Sequence, residues 1–285
     1  MRSTASHSPY RVLACLATTA LLVLGVAACG DEEEAQTLTF TLAQEGKTAA
    51  ISGPSSAEAG EAEIALANKG SKDGELQLIR VEGDHSADEV VKVLGGAQQG
   101  KPFPDWFFAG GGLGVTEPGE ETIVTQVLKP GTYYAFDLEA GQPDPKSVPA
   151  IQVTGEEEDE TLEGDATVTA VDADDEYAFE AEALPSGNAE IVFDNEGEEP
   201  HHLLIAPIEG DATAEDVETF FKTEKGKPPI AEEGGFDTAV IEGGESQLVN
   251  VDLKPGRYAL FCFISDRDGG KPHALKGMVD EVEVE

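Results

Sequence analysis

The stretch CFISDRDGGKPHALKGM, residues 262–278, gathers a thiol, an imidazole and a thioether in a chain poor in soft side chains. The whole sequence has 3 cysteines and 2 methionines, and this segment holds Cys262 and Met278 with His273 between them. Singly, each has an ordinary role, since a lone cysteine on a strand is usually a small buried hydrophobe and a methionine core filler. Together they are the donors that a soft or borderline metal selects. A trigonal His, His, Cys set with a weak axial thioether holds both oxidation states of copper with little rearrangement. The missing imidazole has to come from elsewhere, and EEPHHLL offers His201 and His202 where an apolar run begins after a polar turn.

Strands must position these donors. EIALANKGSKDGELQLIRVEGD from Glu63 and EIVFDNEGEEPHHLLIAPIEGD from Glu190 align without a gap, and LKPGTYYAFDL from Leu128 answers LKPGRYALFCF from Leu253. An internal duplication of this length means two tandem domains rather than a solenoid. Each copy is a series of short runs alternating with a period of two and separated by Gly, Pro, Asn and Asp: TLTFTL, EIALAN, ELQLIRV, ETIVTQVL and TYYAFDL, then ATVTAV, EIVFDN, HLLIAPI, SQLVNVDL and RYALFCF. The pattern predicts an all-β protein made of two tandem antiparallel sandwiches. One short helix interrupts each copy. Ser86 with Glu89, and Thr213 with Asp216, are spaced as capping pairs ahead of VVKVL and VETFF.

Alternation places Tyr258, Leu260 and Cys262 on one strand face, and His201, Leu203 and Ile205 on another. In the first copy Leu76 and Leu78 stand where Leu203 and Ile205 stand, while polar Gln77 answers Leu204. The face bearing His201 is therefore the inward one. His201 is the expected ligand, and His202 takes a neighbouring or solvent position where it helps orient the loop. The first copy also shows what the fold requires without a metal: Gly74 stands for His201, Asp137 for Cys262, and the chain contracts where His273 and Met278 lie. Only the C-terminal copy is expected to hold an ion.

With PHHLL early and YALFCF…H…M late, the C-terminal copy resembles the cupredoxin family, whose small members carry an early PHN ligand and a late YxFxC…H…M loop. The resemblance covers most of residues 164–285. It implies Greek-key β-sandwiches and one mononuclear copper site, with His201, Cys262 and His273 as equatorial ligands and Met278 as the axial one. It implies one-electron transfer to a redox partner protein, and no enzymatic activity. One departure stands out: FISDRDGGKP separates Cys262 from His273, where plastocyanin-like proteins place only a few residues. That insertion is polar and carries adjacent glycines, so it can bulge out and return the histidine. Copper storage or delivery, and a metal-free binding or structural module, are the alternative readings of the same residues.

The chain carries 57 acidic and 18 basic side chains for a formal charge of -39, a field that repels phosphate backbones and excludes nucleic acid as a partner. Residues 1–28 read as a secretion signal: Arg2 and Arg11 flank a polar start, and VLACLATTALLVLGVAA follows as a short apolar run. Its end, VAACG, resembles the bacterial lipobox and makes Cys29 the lipidated residue, on a tether over 29–36. The expected location is the bacterial cell envelope, lipid-anchored on the outer face of the cytoplasmic membrane. Cys15 leaves with the signal and Cys29 takes lipid, so Cys262 has no disulfide partner. GEEEDETLEGD, residues 155–165, reads as an acidic linker between a ligand-free domain at 37–154 and the copper-site domain at 166–285. The ligand-free domain is expected to act as a spacer or docking module. KPFPDWFFAGGG, residues 101–112, is expected to be a loop capping the first core, and His85, next to Asp84, to be solvated.

Overall fold

Alternating sequence becomes strand where one face can be buried. In GEAEIALAN, Ala62, Ile64 and Leu66 enter the core with no exposed surface while Glu61 faces water. The structure, a computed structural model, describes residues 35–285 apart from 46–47, 98, 139–143, 158–159, 174–175 and 232. The signal segment and Cys29 lie outside the described residues.

The N-terminal half comprises β1 (Gln36–Glu45), β2 (Thr48–Ser52), β3 (Ser56–Glu58), β4 (Gly60–Asn68), β5 (Gly74–Val81), α1 (Ala87–Ala97), β6 (Phe107–Thr116), β7 (Glu121–Leu128), β8 (Gly131–Phe136) and β9 (Ala150–Thr154). The C-terminal half comprises β10 (Ala166–Ala173), β11 (Glu176–Ala181), β12 (Gly187–Asn195), β13 (Leu204–Pro207), α2 (Ala214–Thr223), β14 (Phe236–Asp237), β15 (Glu245–Leu253), β16 (Gly256–Phe261) and β17 (Val279–Val284). The repeat is visible in the pairing. β1 runs parallel to β4 as β10 does to β12, and β8 pairs antiparallel with β9 as β16 does with β17. In each copy the LKPG tyrosine turns back on its own strand start, Tyr133 donating to the Lys129 carbonyl and Tyr258 to that of Lys254. Both helices open as their sequences predict: Glu89 accepts from the Ser86 N–H and hydroxyl, and Thr213 with Asp216 forms a reciprocal capping box.

Each half is a two-sheet sandwich, and the two halves share one of the sheets. Its eight strands run β11-β10-β12-β15-β7-β4-β1-β2, while β3-β9-β8-β5-β6 and β14-β13-β16-β17 form the outer sheets. At the join β7 pairs antiparallel with β15, and Val124 faces Val249, its own counterpart in the repeat. The halves therefore meet about a local two-fold axis, as two copies of one chain would. Polar side chains line this seam and bond across it, although the buried Gln247 Oε1 has no partner. Gln247 donates to the Gly112 carbonyl and to Gln126 Oε1, both at 2.9 Å, and Gln126 donates to the Gly110 carbonyl. The acidic stretch does not leave the halves free: Leu162 is buried, and the Asp165 N–H donates to the Glu190 carbonyl.

Three expectations change here. Gln77 is buried, because its amide exchanges hydrogen bonds with both the N–H and the carbonyl of Val240 in the other half. Its polarity signals a seam between domains, not solvent. The 101–112 segment becomes strand β6 from Phe107 onward, bulged against β5, with Gly111 and Gly112 at φ +74 and +125. At Gly112 a Cβ would lie 1.9 Å from the Leu76 carbonyl oxygen, so no other residue fits. Phe103, Trp106 and Phe107 do pack on α1, and His85, instead of being solvated, stacks on Trp106 with ring centroids 3.8 Å apart.

One apolar cluster, from Leu38 in β1 to Val284 in β17, runs through both halves beside the shared sheet. Cooperative unfolding follows from that continuity. Calorimetry of the metal-free protein should show a single transition. Two resolved transitions would mean that the seam does not couple the halves.

Candidate metal centre

The centre is built where β16 ends, where the chain enters β13, and where the late loop returns. Cys262 follows the last residue of β16 on the inward face it shares with Tyr258 and Leu260, and all three are buried. His201 precedes β13 and is pinned by a two-way backbone bridge to Ile241 at 3.0 and 2.9 Å. The long insertion turns on Gly269 and Gly270, at φ +82 and +114, and zips back onto the strand end. The His273 N–H donates to the Ile264 carbonyl at 2.8 Å and that of Ala274 to the Cys262 carbonyl at 2.7 Å. This ladder returns His273 to the cysteine despite the length of the loop. Met278 is fully buried in the same apolar cluster as Cys262, and its N–H donates to the His273 carbonyl.

His201, Cys262 and His273 are each 0 % exposed, and their donor atoms all lie within 4.8 Å of one another. His273 Nδ1 stands 3.0 Å from His201 Nδ1 and 3.6 Å from the Cys262 sulfur. The other nitrogen of each ring faces a carboxylate. His201 Nε2 meets Asp172 Oδ2 at 3.1 Å, and His273 Nε2 meets Asp266 Oδ1 at 2.9 Å. Burial works to raise both carboxyl pKa values, but hydrogen bonds outweigh it. Asp172 accepts from the Glu198 and Glu199 N–H groups and from His201, Asp266 from Lys276, Tyr177 and His273, and both stay below the usual range. An ionised carboxylate only accepts, so each Nε2 must carry the ring proton and each Nδ1 a lone pair. Tyr177 stacks on His273 with centroids 4.5 Å apart, and its hydroxyl donates to Asp266.

The thiol is held in the same way. The backbone N–H groups of His202 and Ile264 point at the sulfur, the latter at 3.4 Å, yet burial dominates and pushes the Cys262 pKa up to about 12. His202 is not among the converging donors: its Nε2 accepts from the Phe263 N–H at 2.9 Å, fixing the start of the loop. Sequence reasoning names His201, Cys262 and His273, which the structure brings together. It misses Asp172, Asp266, Tyr177 and Lys276. Asp266 alone had a signal, as a carboxylate seven positions before His273 inside the loop.

Burial, with the neighbouring His201, depresses His273 to about 4, and burial depresses His202 to about 3, from 6.5. At these two histidines the unfolded chain binds more protons than the fold between those values, so their contribution is complete above about pH 6.5 and lost as pH falls toward 4, opposed in part by buried Glu245, whose carboxyl is raised to about 7. Urea midpoints of the metal-free protein should fall across that window. A flat profile would contradict the neutral, buried imidazole pair.

No protein-family model matches the chain, and no curated protein does. Similar solved structures include reduced auracyanin from Roseiflexus castenholzii, 16% identical, covering 42% of this chain and 96% of its own at a TM-score of 0.28. A purple cupredoxin from Nitrosopumilus maritimus is 14% identical over 42% of this chain and 100% of its own, TM-score 0.26. A copper-containing nitrite reductase from Thermus scotoductus is 15% identical over 87% of this chain and 61% of its own, TM-score 0.24. Likenesses this distant carry no weight by themselves. Two repeated sandwiches, with an early histidine meeting a late Cys…His…Met loop ahead of the last strand, make the fold cupredoxin-like.

Proposed function

We propose that the C-terminal half binds one copper ion that His201, Cys262 and His273 would hold, with Met278 as the fourth donor, and that the protein carries single electrons rather than catalysing a reaction. The observation that carries this reading is the pair of imidazole lone pairs 3.0 Å apart beside a buried thiol. With each Nε2–H donating to a carboxylate, no described residue places a positive group between the two Nδ1 atoms. A soft cation would satisfy all three donors and replace the thiol proton, as metal binding requires. When bound, copper supplies the one-electron couple.

The chain's own residues fix that couple. Asp172 and Asp266 set ring tautomer and orientation, and the amides of His202 and Ile264 stabilise negative charge on sulfur. The apolar surroundings exclude water. Complete burial of the three donors weighs against copper delivery, which needs ligands a partner can reach, and favours a resident ion. Counterparts in the N-terminal half, Gly74 and Asp137, offer no such set. In this reading Cys29 carries the lipid that keeps the protein on the outer face of the cytoplasmic membrane, near a redox partner protein.

Copper titration of the full chain should give one equivalent per chain and an intense visible thiolate-to-copper band, absent in Cys262→Ser. Met278→Leu should keep the band and raise the reduction potential, because losing a donor costs the more highly charged ion most. Colourless Cu(I) binding alone would point to storage, and no binding would leave a metal-free module.

A further inference from the structure

The loop between Cys262 and His273 is gripped from outside its own half. At its centre the Arg267 N–H donates to Glu199 at 2.5 Å, and its guanidinium pairs with Glu242 at 2.5 Å. The same guanidinium donates to the carbonyls of Phe107 at 2.8 Å and Pro104 at 3.2 Å, and the Arg267 carbonyl accepts from the Phe103 N–H at 2.7 Å. Phe103, Pro104 and Phe107 belong to the N-terminal half. Glu242 is itself anchored there, accepting from the Ala109 N–H at 2.9 Å. Two residues beyond Arg267 the backbones touch: a Cβ on Gly269 would lie 2.4 Å from the Gly100 carbonyl oxygen.

A loop of this length has many conformations to lose, and a metal centre needs its ligands held within about 0.5 Å. The ladder at the base of the loop fixes His273, but the tip bears on the N-terminal half. Beside it lies a cavity of about 300 Å³, with Leu94, Ala97 and Phe103 on one wall and Phe263 and Ile264 on the other. That is the space a released loop would enter.

We infer that the ligand-free half is a clamp on the metal loop and that Arg267 is the positioning residue through which it acts. A spacer would need none of these contacts. The inference rests on the copper reading only for what the held loop serves, since the grip is present without metal.

The test uses the full-length, metal-free protein and the rate at which N-ethylmaleimide alkylates buried Cys262, read by peptide mass well below the unfolding temperature. Arg267→Ala should raise the rate about tenfold or more, as loss of several charge-assisted hydrogen bonds predicts. Arg267→Lys should raise it less, keeping the charge but losing the planar fork. Glu242→Gln should act in the same direction should Arg267→Ala fail to fold, and Ala97→Leu, which narrows the cavity, should slow the reaction. Arg257→Ala, which removes an exposed ion pair with Glu281, should change nothing. In the copper-loaded protein, release to a chelator should follow the same order.

Wild-type alkylation rates in folded Arg267→Ala and Glu242→Gln would overturn the clamp. A wild-type protein that takes no copper yet shows the predicted alkylation order would sink the copper reading and leave the clamp standing.

Discussion

Two unprotonated imidazole nitrogens 3.0 Å apart in a dry core repel each other, and the rest of the C-terminal half is arranged so that they cannot escape. Each ring is held from behind by an ionised carboxylate, which accepts from Nε2–H and so fixes the tautomer that leaves no proton between them. Burying polar groups in this way is costly unless each atom finds a partner. On the outer side the partners are aspartates, themselves satisfied by backbone N–H groups, a lysine and a tyrosine. On the inner side they are each other and a thiol. Apart from the weak thiol donor beside His273 Nδ1, the inner side offers the two lone pairs no proton, and such local departures from folding rules are expected at functional sites.

The sandwich is what makes this affordable. His201 and Cys262 arrive at the ends of neighbouring strands whose alternate residues, Leu203, Ile205, Leu260 and Tyr258, are buried, so the donors ride on elements fixed by core packing. His273 is different. It rides on a loop, and its position comes from backbone bonds to Ile264 and Ala274's bond to Cys262, with the tip of the loop seated on the other repeat. The duplication therefore supplies more than a second domain. A local two-fold at Val124 and Val249 welds the sheets and brings the β6 approach of one copy against the metal loop of the other.

Much of this was legible in the chain. Period-two runs such as EIALAN and EIVFDN become β4 and β12, the capping pairs open both helices, and face alternation separates His201 from His202 before any coordinates are known. What was not legible is long-range. β6 hides in FFAGGGLGVT because glycine-rich sequence has little strand propensity, and it forms only because those glycines let a bulge pass close to Leu76. Gln77 looks like a solvent position because its partner, Val240, belongs to the other repeat. Asp172 and Asp266 are lost among 57 acidic residues, since nothing local distinguishes a carboxylate that will meet an imidazole.

Copper K-edge X-ray absorption on the copper-loaded full chain tests the central claim most directly, because it counts the atoms around the ion. The account predicts one sulfur and two imidazole nitrogens in the inner shell, with the sulfur lost in Cys262→Ser. A shell of nitrogen and oxygen alone, unchanged by that substitution, would place the ion elsewhere and contradict it.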